Sequence, residues 1–180
     1  MKDVDGMHLV TCEADIEALR NKIMESVEMT VQAVKSRQQT LGTMDSLFEL
    51  RFHKLGHDPI NHTPLNFIEQ LNQTFSDLVA LEGAVYLLRK YPGRKFILHL
   101  GTESGYDIES DDGAIVAECF AVTTVRSNDK LARDSKKLMK HSNCEKKYIF
   151  MYSQSDSIDY LNNRFAKYPG ICFVPLDGLY

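Results

Sequence analysis

Apolar residues recur at three- and four-residue steps through the first half of the chain, and at alternate positions through much of the second. From about Asp15 to Leu41 there is no Gly or Pro. Ile16, Leu19, Ile23, Val27, Val31 and Val34 make one helical stripe there. Gly42 is a plausible stop, and a shorter helix is expected over Met44 to Leu55. Gly56 to Thr63 carries turn chemistry. Thr63 then reads as an N-cap, with Pro64 at the first helical position. The helix they open carries Leu65, Ile68, Leu71, Phe75, Leu78, Val79, Glu82, Val85 and Leu87 or Leu88, and Pro92-Gly93 ends it. After that the period changes. Strands are expected over Lys95 to Leu100, Tyr106 to Ser110 and Ala114 to Val122. Asn128 is the expected cap of a helix reaching His141, with Leu131, Ser135 and Leu138 inward. A strand over Tyr148 to Ser153, a helix over Ser157 to Tyr168 and a last strand over Ile171 to Val174 complete the order. The fold class is therefore α/β. A helical extension over residues 1–62 precedes an α/β domain over 63–180.

Length and composition fit this picture. The chain has 180 residues, 43% hydrophobic and 26% charged, as in an ordinary globular protein. No apolar run reaches the roughly 18 residues that span a bilayer, and the polar, acidic first six residues do not read as a signal peptide. No membrane association and a cytoplasmic location are expected. Cysteines at 12, 119, 144 and 172 have no metal-binding spacing, and Cys119 and Cys172 lie in apolar strand-like runs where free thiols pack. His99 reads as a hydrogen-bonded core histidine. His53, His57 and His62 cluster loosely around a turn without a fourth zinc ligand.

Charge is uneven. The net charge is −4, yet Arg126 to Lys147 holds eight Lys/Arg against three Asp/Glu. Such a basic stretch on an acidic body suits a protein that meets phosphate with one face; the alternative is a solvated helix face.

Asp111-Asp112-Gly113 between two strand patterns is a hairpin signal. With Asp112-Gly113 as a two-residue type I′ loop, Asp107 falls directly opposite Glu118. Directly paired residues share a face with Cβ atoms about 5 Å apart. Two carboxylates that close suit a hard divalent cation; the alternative is a shared proton. Glu118 carries its own signal, because it sits within Ala-Ile-Val-Ala-Glu-Cys-Phe-Ala-Val, where an unpaired charge is costly.

At these residues the chain resembles the PD-(D/E)XK nucleases, the restriction-endonuclease-like superfamily. The resemblance covers about Leu65 to Ser153 and lies in the order helix, three strands, helix, strand. Gly105-Tyr106-Asp107 looks like the Asp motif, Ala117-Glu118-Cys119-Phe120 like the start of the Glu-x-Lys motif, and Glu82 like the helix carboxylate, with Glu69 second. Phe120 stands where the family has lysine. Lys130 on the following helix is the candidate replacement, with Arg126 second. The resemblance implies a restriction-endonuclease-like αβββαβ core and metal-assisted hydrolysis of a phosphodiester. Asp107, Glu118 and Glu82 would ligate Mg²⁺ or Mn²⁺, and Lys130 would stabilise the charged phosphate. Arg126, Arg133, Lys137 and Lys140 would hold backbone phosphates. DNA is the expected substrate, in a restriction or defence role. The alternatives are an inactive nuclease-fold protein that binds nucleic acid or a protein, and a helical interaction protein. The stripe of the first helix is covered either by the rest of the chain or by a second copy in a homodimer.

Overall fold

The structure, a computed structural model, describes residues 7–39, 41–101, 105–126 and 129–179. Among these the chain forms strands β1 (Met7–Val10), β2 (Gly56–His57), β3 (Pro64–Leu65), β4 (Phe96–His99), β5 (Ile108–Ser110), β6 (Ile115–Val122), β7 (Lys146–Ser153) and β8 (Cys172–Pro175). The helices are α1 (Glu13–Gln38), α2 (Thr43–Phe52), α3 (Phe67–Lys90), α4 (Lys130–Lys140) and α5 (Ile158–Phe165). Six strands make one mixed sheet in the order β1-β4-β5-β6-β7-β8, while β2 and β3 pair separately. β1, β4, β5 and β6 run antiparallel to their neighbours; β6, β7 and β8 run parallel, as crossover helices α4 and α5 require. No helix is long and apolar enough to cross a membrane among the described residues.

Alternation along the strands sorts the core into two layers. Phe96, Leu98, Ile108, Ile115, Ala117, Cys119, Tyr148 and Phe150 pack with α1 and α3. Val116, Phe120, Ile149 and Met151 pack with Leu131 and Leu138 of α4 and Leu161 of α5. Ile16, Leu19 and Ile23 of α1 belong to the first layer, so the segment expected as a helical extension is built into the main core. It also supplies β1, a strand the sequence pattern did not reveal.

Local chemistry explains the element boundaries. α3 starts at Phe67, not at Pro64. Asn66 accepts from the Glu69 N–H (2.9 Å), and the Glu69 carboxylate accepts from the Asn66 N–H (2.9 Å). This reciprocal pair satisfies two orphan donors, a contribution of about 1 kcal/mol, and frees Pro64 and Leu65 to pair with β2. The expected stripe of α3 is also rotated. Ile68, Leu71 and Phe75 are exposed, whereas Gln70, Thr74 and Asp77 are buried. In α1 the stripe holds through Ile23. Further on Ser26 and Thr30 take the buried positions, with Ser26 Oγ donating to the His57 carbonyl (2.6 Å). Cys119 is buried as expected, but Cys172 is exposed. Asn128, the expected cap of α4, lies outside the described residues.

Gly83 sits where α3 meets the sheet. A Cβ there would come within 2.7 Å of the Phe150 ring. Glycine costs a helix about 1 kcal/mol relative to alanine, so propensity alone favours replacement. Close packing reverses the sign: Gly83→Ala is expected to destabilise the protein by about 1–3 kcal/mol, read as a lower urea midpoint.

Candidate functional site

The hairpin between β5 and β6 has the register the sequence implies, but a different turn. Ile108 pairs with Ala117 and Glu109 with Val116. The ladder then opens into a four-residue connection, 111–114. The Gly113 N–H donates to the Ser110 carbonyl (2.8 Å), and Ser110 Oγ accepts from the Ile115 N–H (2.9 Å). Gly113 takes the left-handed position (φ 70°), while Asp112 does not have the positive φ that a type I′ turn needs. The Asp112 carboxylate instead accepts from Ser110 Oγ (2.6 Å) and the Ala114 N–H (3.0 Å). One extra residue joins the loop from each strand, so the register is unchanged.

One step beyond the Ile108–Ala117 pair lie Asp107 and Glu118. Both belong to the face that α4 covers, because Ile108 and Ala117 point to the other. Asp107 Oδ2 accepts from the Cys119 N–H at 2.6 Å, which continues the pairing after β5 has ended. No hydrogen bond among the described residues uses the other Asp107 oxygen. Glu118 is 3% exposed, between Val116 and Phe120.

α4 brings the counter-charges. Lys130, Asp134 and Lys137 recur at four and three residues and so share one side of the helix. Lys137 Nζ lies 2.5 Å from Glu118 Oε1, donates to the Gly105 carbonyl (2.5 Å), and stands 4.8 Å from the Tyr106 ring centre. Lys130 Nζ pairs with Asp134 (3.0 Å) and lies 5.8 Å from the centre of the Phe120 ring. The lysine chosen from sequence therefore stands over the Phe120 ring.

Other candidates lie elsewhere. Glu82 is bonded to Arg20 (2.6 Å) on the α1 side of α3, so the structure does not bring it to Asp107 and Glu118. Glu69 serves the cap of α3 and pairs with Lys54. The α3 carboxylate that senses the site is Asp77, almost fully buried, with Oδ1 accepting from the Gly101 N–H (3.2 Å) and Oδ2 without a hydrogen-bond partner among the described residues. Lys137, its side chain 46% exposed, directs its Nζ to Glu118. Arg126 packs on the Tyr160 ring (4.1 Å), and Arg133 and Lys140 are exposed. Asp77 and Asp134 escaped the sequence reading, though signals existed. Asp77 abuts the apolar run Leu78-Val79-Ala80-Leu81, and Asp134 shares the helical side of Leu131 and Leu138.

No family model, curated protein or solved structure matches the chain. The chemistry of the cluster has to be read from its own geometry.

That geometry strains the carboxylates as anions. Burial, then the like charge of Asp107, pushes Glu118 up to about 7 against the pull of Lys137. Burial also raises Asp107, opposed by the Cys119 N–H and by Lys130. Asp77 is pushed up to about 7 by burial, with Asp58 and Asp107 adding repulsion. Burial works against the charge of Lys130, but Asp134, Asp107 and Glu118 together hold it above its ordinary value. Grouped carboxylates with raised values in a partly buried site are a common signature of function. Among the described residues, no set of three or more His, Cys, Asp or Glu side chains is arranged to share a metal ion. Two carboxylates on facing strands remain as the oxygen donors a hard cation could use.

A folded value near 7 for Glu118, against an ordinary 4.5, fixes a sign. Between those values the folded protein holds a proton that the unfolded chain has released, so stability is full below about 4.5 and falls as pH rises through 7. In metal-free buffer, Glu118→Gln is expected to lose less melting temperature than wild type between pH 4.5 and 7.5. Parallel melting curves for the two proteins across that range would overturn this account of Glu118.

Proposed function

We propose that the chain is a divalent-metal-dependent nuclease that hydrolyses phosphodiester bonds of DNA, a divergent relative of the PD-(D/E)XK enzymes. The observation that carries the reading is the meeting of Asp107 and Glu118 on one face of a hairpin, with Lys130 held over Phe120 beside them.

The donor chemistry fits a hard cation. Two carboxylates already raised by burial, with Asp107 repelling Glu118 and Asp134 repelling Asp107, gain from an added positive charge, and Mg²⁺ is commonly held by one or two carboxylates plus water and substrate oxygens. Asp107 and Glu118 are the residues that would hold it. When bound, Mg²⁺ or Mn²⁺ lowers the pKa of a coordinated water and offsets phosphate charge. Water adds to phosphorus, one P–O ester bond breaks, and the departing oxygen leaves as an alcohol. Lys130, kept cationic by Asp134 and lying over the Phe120 ring, stabilises the charge that builds on the phosphate oxygens. Lys137 orients Glu118. Arg133 and Lys140 on the outer side of α4 attract flanking phosphates.

A second reading draws on the same contacts. Asp107 is already engaged by the Cys119 N–H and Glu118 by Lys137, an arrangement that also suits a nuclease-fold protein that binds nucleic acid without cutting it.

Thermal melting with Mg²⁺ and Mn²⁺, followed by cleavage assays on both plasmid and single-stranded DNA, tests both. At saturating metal the melting temperature of wild type is expected to rise by about 5 °C, and Asp107→Ala to abolish the rise. Lys130→Ala is expected to slow cleavage by about 100-fold while keeping the metal-induced rise. A rise without cleavage favours the second reading. A wild type with neither response to metal nor cleavage contradicts the nuclease.

A further inference from the structure

A groove of about 630 Å³ opens beside Lys130, and the catalytic reading leaves it without a role. Its volume falls in the range of roughly 300–1,000 Å³ usual for small-ligand sites. It lies outside the carboxyl ends of the parallel strands β6 and β7, where open α/β sheets tend to bind ligands. One wall is α3, with Leu71 and Phe75 at 38% and 41% exposure, both turned away from the core. The facing wall includes Tyr152 and Gln154 from the end of β7 and the turn after it. Asn72 adds a second amide, and Lys130 with Phe120 closes the end nearest the carboxylates.

Each part matches one part of a nucleotide. Phe75 and Tyr152 offer aromatic faces, on which any base can stack. Asn72 and Gln154 offer amides that both donate to and accept from a base edge. Lys130 offers a cation where the phosphate joins. A base paired within a duplex has both faces covered by its neighbours and cannot enter such a groove.

We propose that this groove takes the base of an unpaired nucleotide next to the reacting phosphate, making single-stranded or extruded DNA the preferred substrate. The inference rests on the nuclease reading of Asp107 and Glu118, and it assigns that site its substrate class. Base stacking sets the strand's position, and Lys130 links the groove to the carboxylates by facing both.

Fluorescence anisotropy in EDTA reads binding without turnover. The probes are a labelled twelve-residue oligothymidylate, an abasic strand of the same length and a blunt duplex of twelve pairs. The wild type is expected to bind oligothymidylate about tenfold more tightly than either other probe. Phe75→Ala is expected to lose about tenfold for oligothymidylate and to leave the abasic strand unchanged. Equal affinity for the base-bearing and abasic strands in wild type, full affinity of a folded Phe75→Ala for oligothymidylate, or no binding at all would each overturn the proposal. Photo-crosslinking of 4-thiothymidine tetramers to wild type gives a reading independent of any variant. Adducts within residues 71–76 or 152–154 support the groove, and adducts confined elsewhere sink it. A protein that binds by this pattern yet never cleaves with Mg²⁺ or Mn²⁺ overturns the nuclease reading alone. One that cleaves duplex DNA while its binding ignores the base overturns the groove alone.

Discussion

A carboxylate in the middle of an apolar strand is the constraint around which this half of the molecule is organised. Glu118 has buried apolar neighbours on both sides along β6 and Ile149 beside it on β7. An ion in that position is strongly disfavoured unless charge of the other sign comes to it. The chain answers with Lys137 from α4, and the same helix holds Lys130 against Asp134 a turn away. The crossover from β6 to β7 therefore does more than connect parallel strands. It lays a charged helical side over an acidic gap in an otherwise oily layer, and Leu131 and Leu138 anchor that helix on either side of its charges.

The opposite face of the sheet is built differently. There α3 lies so close to β6 and β7 that Gly83 meets the Phe150 ring, and α1 seals the layer with Ile16, Leu19 and Ile23. The two faces meet where β4 and β6 end. Asp77 from α3 and Asp107 from the hairpin feel one another's charge there although they belong to different layers. This corner is where the acidic groups gather, and the groove beside Lys130 opens from the neighbouring sheet end.

Much of this was legible from sequence where short-range rules dominate. The Asp-Gly signal located the hairpin, and the pairing of Asp107 with Glu118 survived a wrong turn type because the loop grew by one residue on each strand. Lys130 could be placed near the two carboxylates from sequence because it opens α4, the helix that follows β6. Long-range competition hid the rest. Thr63-Pro64 is a good helix start in isolation, but Asn66 and Glu69 make a better one two residues beyond Pro64. Glu82 looked inward by periodicity, yet Arg20, sixty-two residues earlier, claims it. β1 is four residues long and makes sense as a strand only beside β4. The rotation of α3 that exposes Leu71 and Phe75 is likewise set by what Asp77, Gly83 and Ala84 must touch.

Lys130, Asp134 and Lys137 hang from one side of a single eleven-residue rod. Rolling that rod about its own axis by one residue's step, roughly 100°, would carry all three away from the sheet together. Asp107 would keep its hydrogen bond from the Cys119 N–H, and Glu118 would lose its lysine. The positive charge that reaches this corner thus depends on one mechanical coordinate, the roll of α4.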